Sequence, residues 1–171
     1  TDHYPIDPDI LALGKGIANG LPLSAYGSSA DLLDGWRVGS HGTTFGGNPV
    51  ACAAAVAVMD TMGGLLGNAR SVSARAFERF DKLRVNHPTI GDVRGVGLMI
   101  GVELVSDRAT REPDATAFKH LQAYCLDREL VIIECGPGGN IIRFIPPVIT
   151  TLDEVDWAID LIDAALGDWE A

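Results

Sequence analysis

The sequence predicts an α/β fold, in which short apolar strands alternate with amphipathic helices along the chain. Three observations carry this prediction. An apolar run over residues 9–13, typical of a strand, stops at the Gly-Lys-Gly run 14–16. Apolar residues recur at helical spacing over residues 68–85. Thr151 and Glu154 have the spacing of a capping box, which predicts the start of a final helix.

The first third of the chain is divided by glycine and proline. After the turn over residues 19–22, residues 23–27 form a second strand candidate. A glycine-rich loop over residues 39–48 then leads to Pro49, whose fixed φ suits the first position of a helix. This helix is expected to continue to about residue 62, where a group of glycines begins.

The glycines at positions 63, 64 and 67 indicate a boundary, so we expect two domains, residues 1–62 and residues 63–171. Beyond the boundary the apolar patterns predict alternating helices and strands. These are a helix over 68–85, strands within 93–105, a helix over 116–128, strands over 130–134 and 141–145, and a last helix with Val155, Ile159, Ile162 and Leu166 facing inward.

Composition and charge restrict the possible partners. The 171 residues include 47% hydrophobic and 21% charged side chains, which is ordinary for a soluble globular protein. The net charge of −10 predicts no nucleic-acid partner. The apolar run over residues 51–59 is far shorter than the roughly 20 residues of a membrane span, so we expect no membrane association. We also expect a cytoplasmic location, in which cysteines stay reduced. Three cysteines without a CxxC pattern predict reduced thiols and no metal site.

Lys15 is the most informative single residue, because it follows an apolar strand and lies between two glycines. Glycine has no Cβ and lets a bulky ligand approach the backbone. A lysine desolvated at the end of a buried strand loses its proton more easily and can act as a nucleophilic amine. From the residues alone, a solvated surface charge is the ordinary alternative.

Four blocks in the chain resemble class III aminotransferases, the group that includes the 4-aminobutyrate, ornithine, acetylornithine and diaminobutyrate enzymes. The first, PDILALGKGIANGLPLSA over residues 8–25, is similar to the segment that carries the cofactor lysine. The others are HGTTFGGNPVAC over residues 41–52, DVRGVGLM over 92–99 and GNIIRFIPP over 139–147. They follow the family order and cover essentially the whole chain.

The resemblance implies a fold type I transferase that uses pyridoxal 5'-phosphate. Residues 1–62 would be the later part of the large cofactor domain and residues 63–171 the C-terminal small domain. Lys15 would hold the cofactor as a Schiff base and then move a proton between substrate and cofactor. Thr44, with Thr43 beside it, would bind the cofactor phosphate, and in the family the threonine does so across the interface of a homodimer.

Arg143 lies in the apolar run 141–145, so we expect it to be buried beside an anion. Two partners remain open from the residues, an internal carboxylate or the carboxylate of a substrate. The resemblance to 4-aminobutyrate-type enzymes favours the substrate. Arg94 is expected to be structural, and His41 and Asn48 are expected to order their loop, with an approach of His41 to the site as the alternative. The remaining histidines are predicted to be surface residues: His3, His87 and His120.

The reaction implied is transfer of an amino group from an ω-amine or amino acid, such as 4-aminobutyrate, to a 2-oxo acid, such as 2-oxoglutarate. An aminomutase or decarboxylase on the same scaffold, and a non-catalytic folding or dimerisation unit, are the alternatives. The family also has an Asp-Glu-Val-Gln-like block whose aspartate pairs with the cofactor ring nitrogen. No such block occurs in the chain, so the isolated 171 residues are expected to be incomplete and inactive.

Overall fold

The structure, a computed structural model, describes residues 3–171. These residues fold as two compact units, one ending at Gly64 and the other beginning at Leu65. Helices and sheets alternate along the chain, which confirms the predicted α/β class. The identification of the two units as parts of a cofactor domain and a small domain stays a prediction.

The first unit contains a two-stranded ribbon. Strand β1 (Ile10–Leu13) is followed by a 3-10 helix (Lys15–Ala18), strand β2 (Ala25–Ser28) and the short helix α1 (Ala30–Asp34). The strands pair antiparallel, and the register places the end of β1 beside the start of β2. Both strand predictions are confirmed, but β1 is exposed along its whole length rather than buried, because no further layer within the described residues covers the ribbon.

The long helix α2 (Pro49–Asn86) begins in the first unit and ends in the second. The sequence predicted two helices with a break at the glycines, and that break is wrong. Glycine costs a helix interior up to about 1 kcal/mol, but it retains its N–H and adds no clash, so a helix can continue through it. Helix α2 is long and apolar enough to cross a membrane, judged by length and composition alone. Core helices of soluble proteins can have the same length and composition. The expectation that the protein does not associate with a membrane stays a prediction.

The second unit is built on an antiparallel sheet. Its strands are β3 (Ile90–Val96), β4 (Met99–Asp107), β5 (Glu112–Pro113), β6 (Ile133–Cys135) and β7 (Ile141–Phe144), and its further helices are α3 (Ala115–Leu126) and α4 (Leu152–Glu170). The strand order is β3-β4-β7-β6, with β5 paired to β4. Apart from the short β5, each of these elements was predicted within a few residues.

One face of this sheet packs into a core with α2, α3 and α4. Ile100, Val102 and Leu104 alternate inward along β4, as expected for a strand with one buried face. The predicted stripe of α2 is confirmed, since its four residues are buried in the same cluster: Val72, Ala76, Phe80 and Leu83. The other face of the sheet carries charged side chains such as Arg94, Glu103 and Arg143, together with exposed apolar residues such as Met99 and Ile133.

The N-terminal ends of helices α3 and α4 are fixed by side-chain caps. The predicted capping box of α4 is present, with the Glu154 amide donating to the Thr151 hydroxyl at 3.2 Å and the Thr151 amide donating to the Glu154 carboxylate at 2.7 Å. Asp114 caps α3 by accepting from two backbone amides, a cap that the sequence prediction missed. Such caps contribute about 1 kcal/mol each.

Candidate active site

Lys15 begins the 3-10 helix directly after β1 and has a φ of 54°. Left-handed backbone is uncommon for a residue with a long side chain, and such strain concentrates at functional sites. The side chain is exposed among the described residues, so the desolvation expected from a buried strand is not observed. The space beside Gly14 and Gly16 is open, which leaves room for a ligand next to the amine.

Thr43 and Thr44 line an open cleft of about 930 Å³ within the first unit. Residues 22–26 form one wall of the cleft and residues 41–47 the other. Because Leu13 pairs with Ala25, the segment that enters β2 lies at the same end of the ribbon as Lys15. The structure therefore brings the two threonines to the start of β2, although Lys15 is not among the lining residues.

Residues 41–47, here called the threonine loop, contain glycines that determine the backbone, and Asn48 follows the loop at the start of α2. The Gly46 amide donates to the Thr43 carbonyl at 3.2 Å, and a Cβ on Gly46 would lie 2.7 Å from the Thr43 hydroxyl. The Asn48 side chain accepts from the amides of Val50 and Ala51, which caps the start of α2. Hydroxyls in a glycine-rich loop that enters a helix are suitable ligands for a phosphate. The predicted ordering role of Asn48 is confirmed.

His41 contacts two other aromatic residues of the first unit. Its Nε2 atom shares a hydrogen bond with the Tyr26 hydroxyl. Its ring lies edge-on to Trp36 with 4.6 Å between centroids, and Trp36 in turn stacks on Tyr26 at 5.3 Å. His41 therefore orders its loop, as predicted, through partners that the sequence did not identify.

Arg143 lies in β7 between two buried residues, Ile142 and Phe144, but its own side chain is exposed. The prediction that Arg143 is buried is wrong, because alternate residues of a strand point to opposite faces and Arg143 belongs to the open face. An internal ion pair is not observed either. Within residues 3–171, no carboxylate forms a salt bridge with its guanidinium.

Arg94, Gly101 and Arg143 form one row across the sheet, because Gly101 in β4 pairs with Arg94 in β3 and with Arg143 in β7. Arg94 donates to Asp92 at 2.9 Å and also to Glu103. The hydrogen bond with Glu103 is the main cause that raises the pKa of Arg94 above its ordinary value. The predicted structural role of Arg94 is confirmed, and Arg143 is left as the arginine of this row that has no carboxylate partner among the described residues.

His87 is the clearest residue that sequence reasoning misplaced. It was predicted at the surface, but it is buried between two carboxylates of α4, with Nε2 2.6 Å from Asp163 and Nδ1 2.7 Å from Glu170. The seven-residue spacing of these acids places them two turns apart on one helix face, a signal that was present in the sequence. His120 is half-exposed beside Asp168, and His3 is exposed as predicted.

The cysteines are free thiols, as expected. Burial raises the pKa of Cys125 to about 11, so this thiol is unreactive near neutral pH. Within residues 3–171, no group of three His, Cys, Asp or Glu side chains is arranged to hold a metal ion.

An exposed lysine with left-handed backbone follows strand β1, and a threonine-bearing loop that leads into α2 lines a cleft in the same unit. Comparison with known proteins gives the family: the class III aminotransferase model matches residues 1–166, and the chain belongs to this family. A 4-aminobutyrate aminotransferase from Mycobacterium tuberculosis is 42% identical over 165 residues, which cover 95% of the chain and 36% of that protein. The chain thus spans little more than a third of the length of the curated relatives it matches.

Other similar proteins include both a further aminotransferase and proteins named for different reactions. An isoleucine 2-epimerase from Lentilactobacillus buchneri is 38% identical over 162 residues, covering 94% of the chain and 36% of that protein. Among solved structures, an aminotransferase from Bacillus anthracis superposes with a TM-score of 0.89 at 29% identity, over 98% of the chain and 40% of the other. A phospholyase from Arthrobacter in complex with phosphoethanolamine gives the same TM-score at 27% identity, over 97% and 40%.

The family implies pyridoxal 5'-phosphate, and the residues present fit that group. Lys15 supplies an exposed primary amine for a carbonyl carbon. Thr43 and Thr44 supply hydroxyls at a glycine-rich turn that enters α2. Both features lie in the first unit.

Proposed function

We propose that the protein containing this chain is a pyridoxal-phosphate-dependent aminotransferase that moves an amino group from an ω-amine or amino acid to a 2-oxo acid. 4-Aminobutyrate and 2-oxoglutarate are the proposed donor and acceptor. The observation that carries the proposal is the left-handed Lys15 at the end of β1, in a chain whose family match spans residues 1–166. The similarity to 4-aminobutyrate aminotransferases supports the choice of donor.

Lys15 has two roles in this proposal. Its amine would hold the carbonyl carbon of the cofactor covalently, with loss of water, and as a free amine it would accept and return a proton at the substrate carbon. The cofactor, when bound, supplies the electron sink that makes this carbon acidic. The space beside the flanking glycines, Gly14 and Gly16, is open.

Thr43 and Thr44 hold the phosphate in this proposal. Their hydroxyls donate hydrogen bonds to phosphate oxygens, and the positive end of the α2 dipole lies directly behind the loop. We also propose that the protein is a homodimer in which Thr44 serves the partner's site, as the family resemblance implies. Free cysteines suit the reducing cytoplasm, which is the proposed location.

Arg143 is proposed to bind the substrate carboxylate. Its guanidinium is exposed on the open face of the sheet, and the acids nearest in register are held by Arg94. A planar guanidinium without an internal partner can form two parallel hydrogen bonds with a carboxylate. Exposure therefore supports the substrate role better than the buried position that the sequence predicted.

A second candidate is racemisation of amino acids, favoured by the epimerase relative and by a leucine/methionine racemase from Thermococcus litoralis that is 36% identical. This reaction uses the same lysine to remove and return a proton but needs no 2-oxo acid. Product analysis separates the two, because only transamination converts 2-oxoglutarate to glutamate, whereas racemisation produces the D-amino acid without an acceptor.

The experiment uses the full-length gene product that contains these residues, with pyridoxal phosphate, 4-aminobutyrate and 2-oxoglutarate. We expect glutamate formation and a visible absorbance from the lysine-bound cofactor, and Lys15→Ala removes both. Lys119→Ala is the matched control, because Lys119 is an exposed lysine on α3 and should leave both unchanged. Borohydride trapping followed by peptide mapping to another lysine would refute the assignment.

The expectation that residues 1–171 alone are inactive also stays a prediction. It is supported by the uncovered apolar side chains of the first unit, such as Leu11 and Phe45. A purified, sequence-verified chain of 171 residues with robust turnover would overturn it.

A further inference from the structure

Tyr26, Trp36 and His41 form an aromatic cluster in the first unit that the proposed chemistry does not use. The three rings contact one another, with centroid separations of 5.3 Å for Tyr26 and Trp36, 5.4 Å for Tyr26 and His41, and 4.6 Å for Trp36 and His41. Tyr26 also hydrogen-bonds His41 through its hydroxyl. The cluster is thus held by a directional bond as well as by ring contacts.

The cluster joins two segments that carry proposed cofactor residues, the strand that leads to Lys15 and the loop that contains Thr44, which is proposed to serve the partner's site. Tyr26 lies on β2 opposite Ala12 of β1, the strand that leads to Lys15. His41 lies at the start of the wall of the cleft that contains Thr43 and Thr44. In the part of the chain that the structure describes, its bond with Tyr26 is the hydrogen bond that links residues 41–47 to the ribbon.

The threonine loop needs such a link because its own backbone is permissive. It contains three glycines, Gly42, Gly46 and Gly47, and Gly47 has a φ of 68°. Each glycine adds conformational freedom that must be lost when a ligand is bound. A side-chain anchor that fixes the loop before binding lowers that cost and strengthens binding without touching the ligand.

We propose that His41 and Tyr26 are positioning residues that preset the threonine loop for the phosphate group of the cofactor. This inference rests on the proposed function and assigns it two residues that act through Thr44. Trp36 supports both rings by stacking on Tyr26 and by its T-shaped contact with His41. The consequence is selective: losing the anchor weakens binding of the phosphate and leaves binding of the rest of the cofactor unchanged.

Tyr26→Phe tests this with the loss of one oxygen atom and retention of the ring. Affinities are measured by absorbance titration of the cofactor-free full-length protein with pyridoxal phosphate and, separately, with pyridoxal, which lacks the phosphate. We expect Tyr26→Phe to weaken pyridoxal phosphate by about three- to tenfold, the effect of one ordinary hydrogen bond, and to leave pyridoxal unchanged. Tyr124→Phe is the matched control, since this tyrosine lies on α3 of the second unit.

Two further variants locate the effect at the threonine loop. His41→Phe should reproduce the selective loss, whereas His41→Gln, whose amide can still hydrogen-bond Tyr26, should recover part of the affinity. In a Thr44→Val background, Tyr26→Phe should cause no additional loss, because the hydroxyl that the anchor presets is already absent.

The outcomes separate this inference from the proposed function. If the wild-type protein forms no Lys15-bound chromophore with either compound, the proposed function fails and the positioning role fails with it. If the wild type binds both compounds and Tyr26→Phe weakens them equally, or weakens neither, only the positioning role is overturned. Equal weakening would show that the cluster stabilises the unit without selecting for phosphate.

Discussion

The two units differ in how far their own residues bury their apolar surface. In the second unit, strands with one apolar face pack on three helices, and a continuous core results. In the first, the buried apolar residues are Ala18 and Ala51, whereas Ile10, Leu13 and Phe45 are exposed. β1 is apolar at all four positions, a pattern typical of strands buried on both faces. The unit that holds the proposed cofactor residues is therefore the one whose apolar side chains are not buried by its own residues.

The sharpest test of this difference uses one residue type in both units. Phe80 is fully buried and meets Phe144 edge-on at 5.1 Å, whereas Phe45 is 70% exposed. We expect Phe80→Ala to lower the free energy of unfolding by about 3–5 kcal/mol through the lost contacts and the cavity. Phe45→Ala should change it by less than about 0.5 kcal/mol. Urea denaturation of the 171-residue chain with either substitution measures the change in the free energy of unfolding.

If Phe45→Ala proved as damaging as Phe80→Ala in the 171-residue chain, the comparison of the two units would be wrong. The same result in the full-length protein would mean that Phe45 is covered by surface that lies outside residues 3–171. Such a result would show that the first unit acquires its core only in a larger assembly. The comparison between the units would then describe the 171 residues and not the whole molecule.

The elements of the second unit were predicted well because the same local patterns that indicate each element also determine which of its faces packs into the core. Alternation in β4, the stripe on α2 and the capping box of α4 are local patterns with one structural solution each. The glycines of α2 were misjudged because helix propensity is a weak signal and a long helix can continue through three glycines. Asp114 was missed because no glutamate or glutamine follows it at capping-box spacing.

The identity of the site residues stays a prediction, and their structural environment was only partly predictable. Lys15, Thr44 and Arg143 were proposed because they lie in family-like blocks, but their burial depends on what covers each face. Arg143 shows this most clearly: an apolar strand indicated burial, and the pleat placed the guanidinium on the open face. The left-handed backbone of Lys15 had no sequence signal at all, since strain of this kind is imposed by the surrounding structure.

The open face of the second unit provides the next test, in which the two arginines beside Gly101 are compared. In the full-length enzyme, Arg143→Ala should weaken catalysis with carboxylate-bearing donors, relative to a simple monoamine, by about 2–5 kcal/mol in transition-state stabilisation. Its melting temperature should not change, because Arg143 has no internal carboxylate partner within residues 3–171. The measurement is kcat/KM for both donors.

Arg94→Ala is the control for this row, because it breaks the contacts with Asp92 and Glu103 and leaves two carboxylates beside each other. It should lower the melting temperature and affect both donors alike. Equal losses for both donors in Arg143→Ala, together with reduced stability, would place Arg143 in the same structural class as Arg94.

The smallest expected effect concerns His87, which joins the residues after α2 to α4 in the second unit. Burial lowers the pKa of His87, but hydrogen bonds with Asp163 and Glu170 and the charge of these carboxylates outweigh it, so the pKa lies above 6.5. Burial raises the pKa of Glu170, but hydrogen bonds from Thr89 and His87 prevail, so it lies below 4.5. Arg108 also faces this region and donates to the His87 carbonyl.

The signs of these shifts define a pH window. The stability that His87 contributes is fully present below pH 6.5 and is lost as the pH rises through its raised pKa, whereas the contribution of Glu170 is present above pH 4.5 and is lost on acidification through its lowered pKa. The second unit should therefore be most stable between these values.

Between pH 6 and pH 9 we expect a loss of about 1 kcal/mol in unfolding free energy, measured by urea denaturation and circular dichroism. His87→Gln should flatten this dependence, and His120→Gln, which removes the half-exposed pair with Asp168, should retain it. An unchanged slope in His87→Gln would mean that the buried pair contributes nothing on titration, and that the packing of α4 alone holds this end of the second unit.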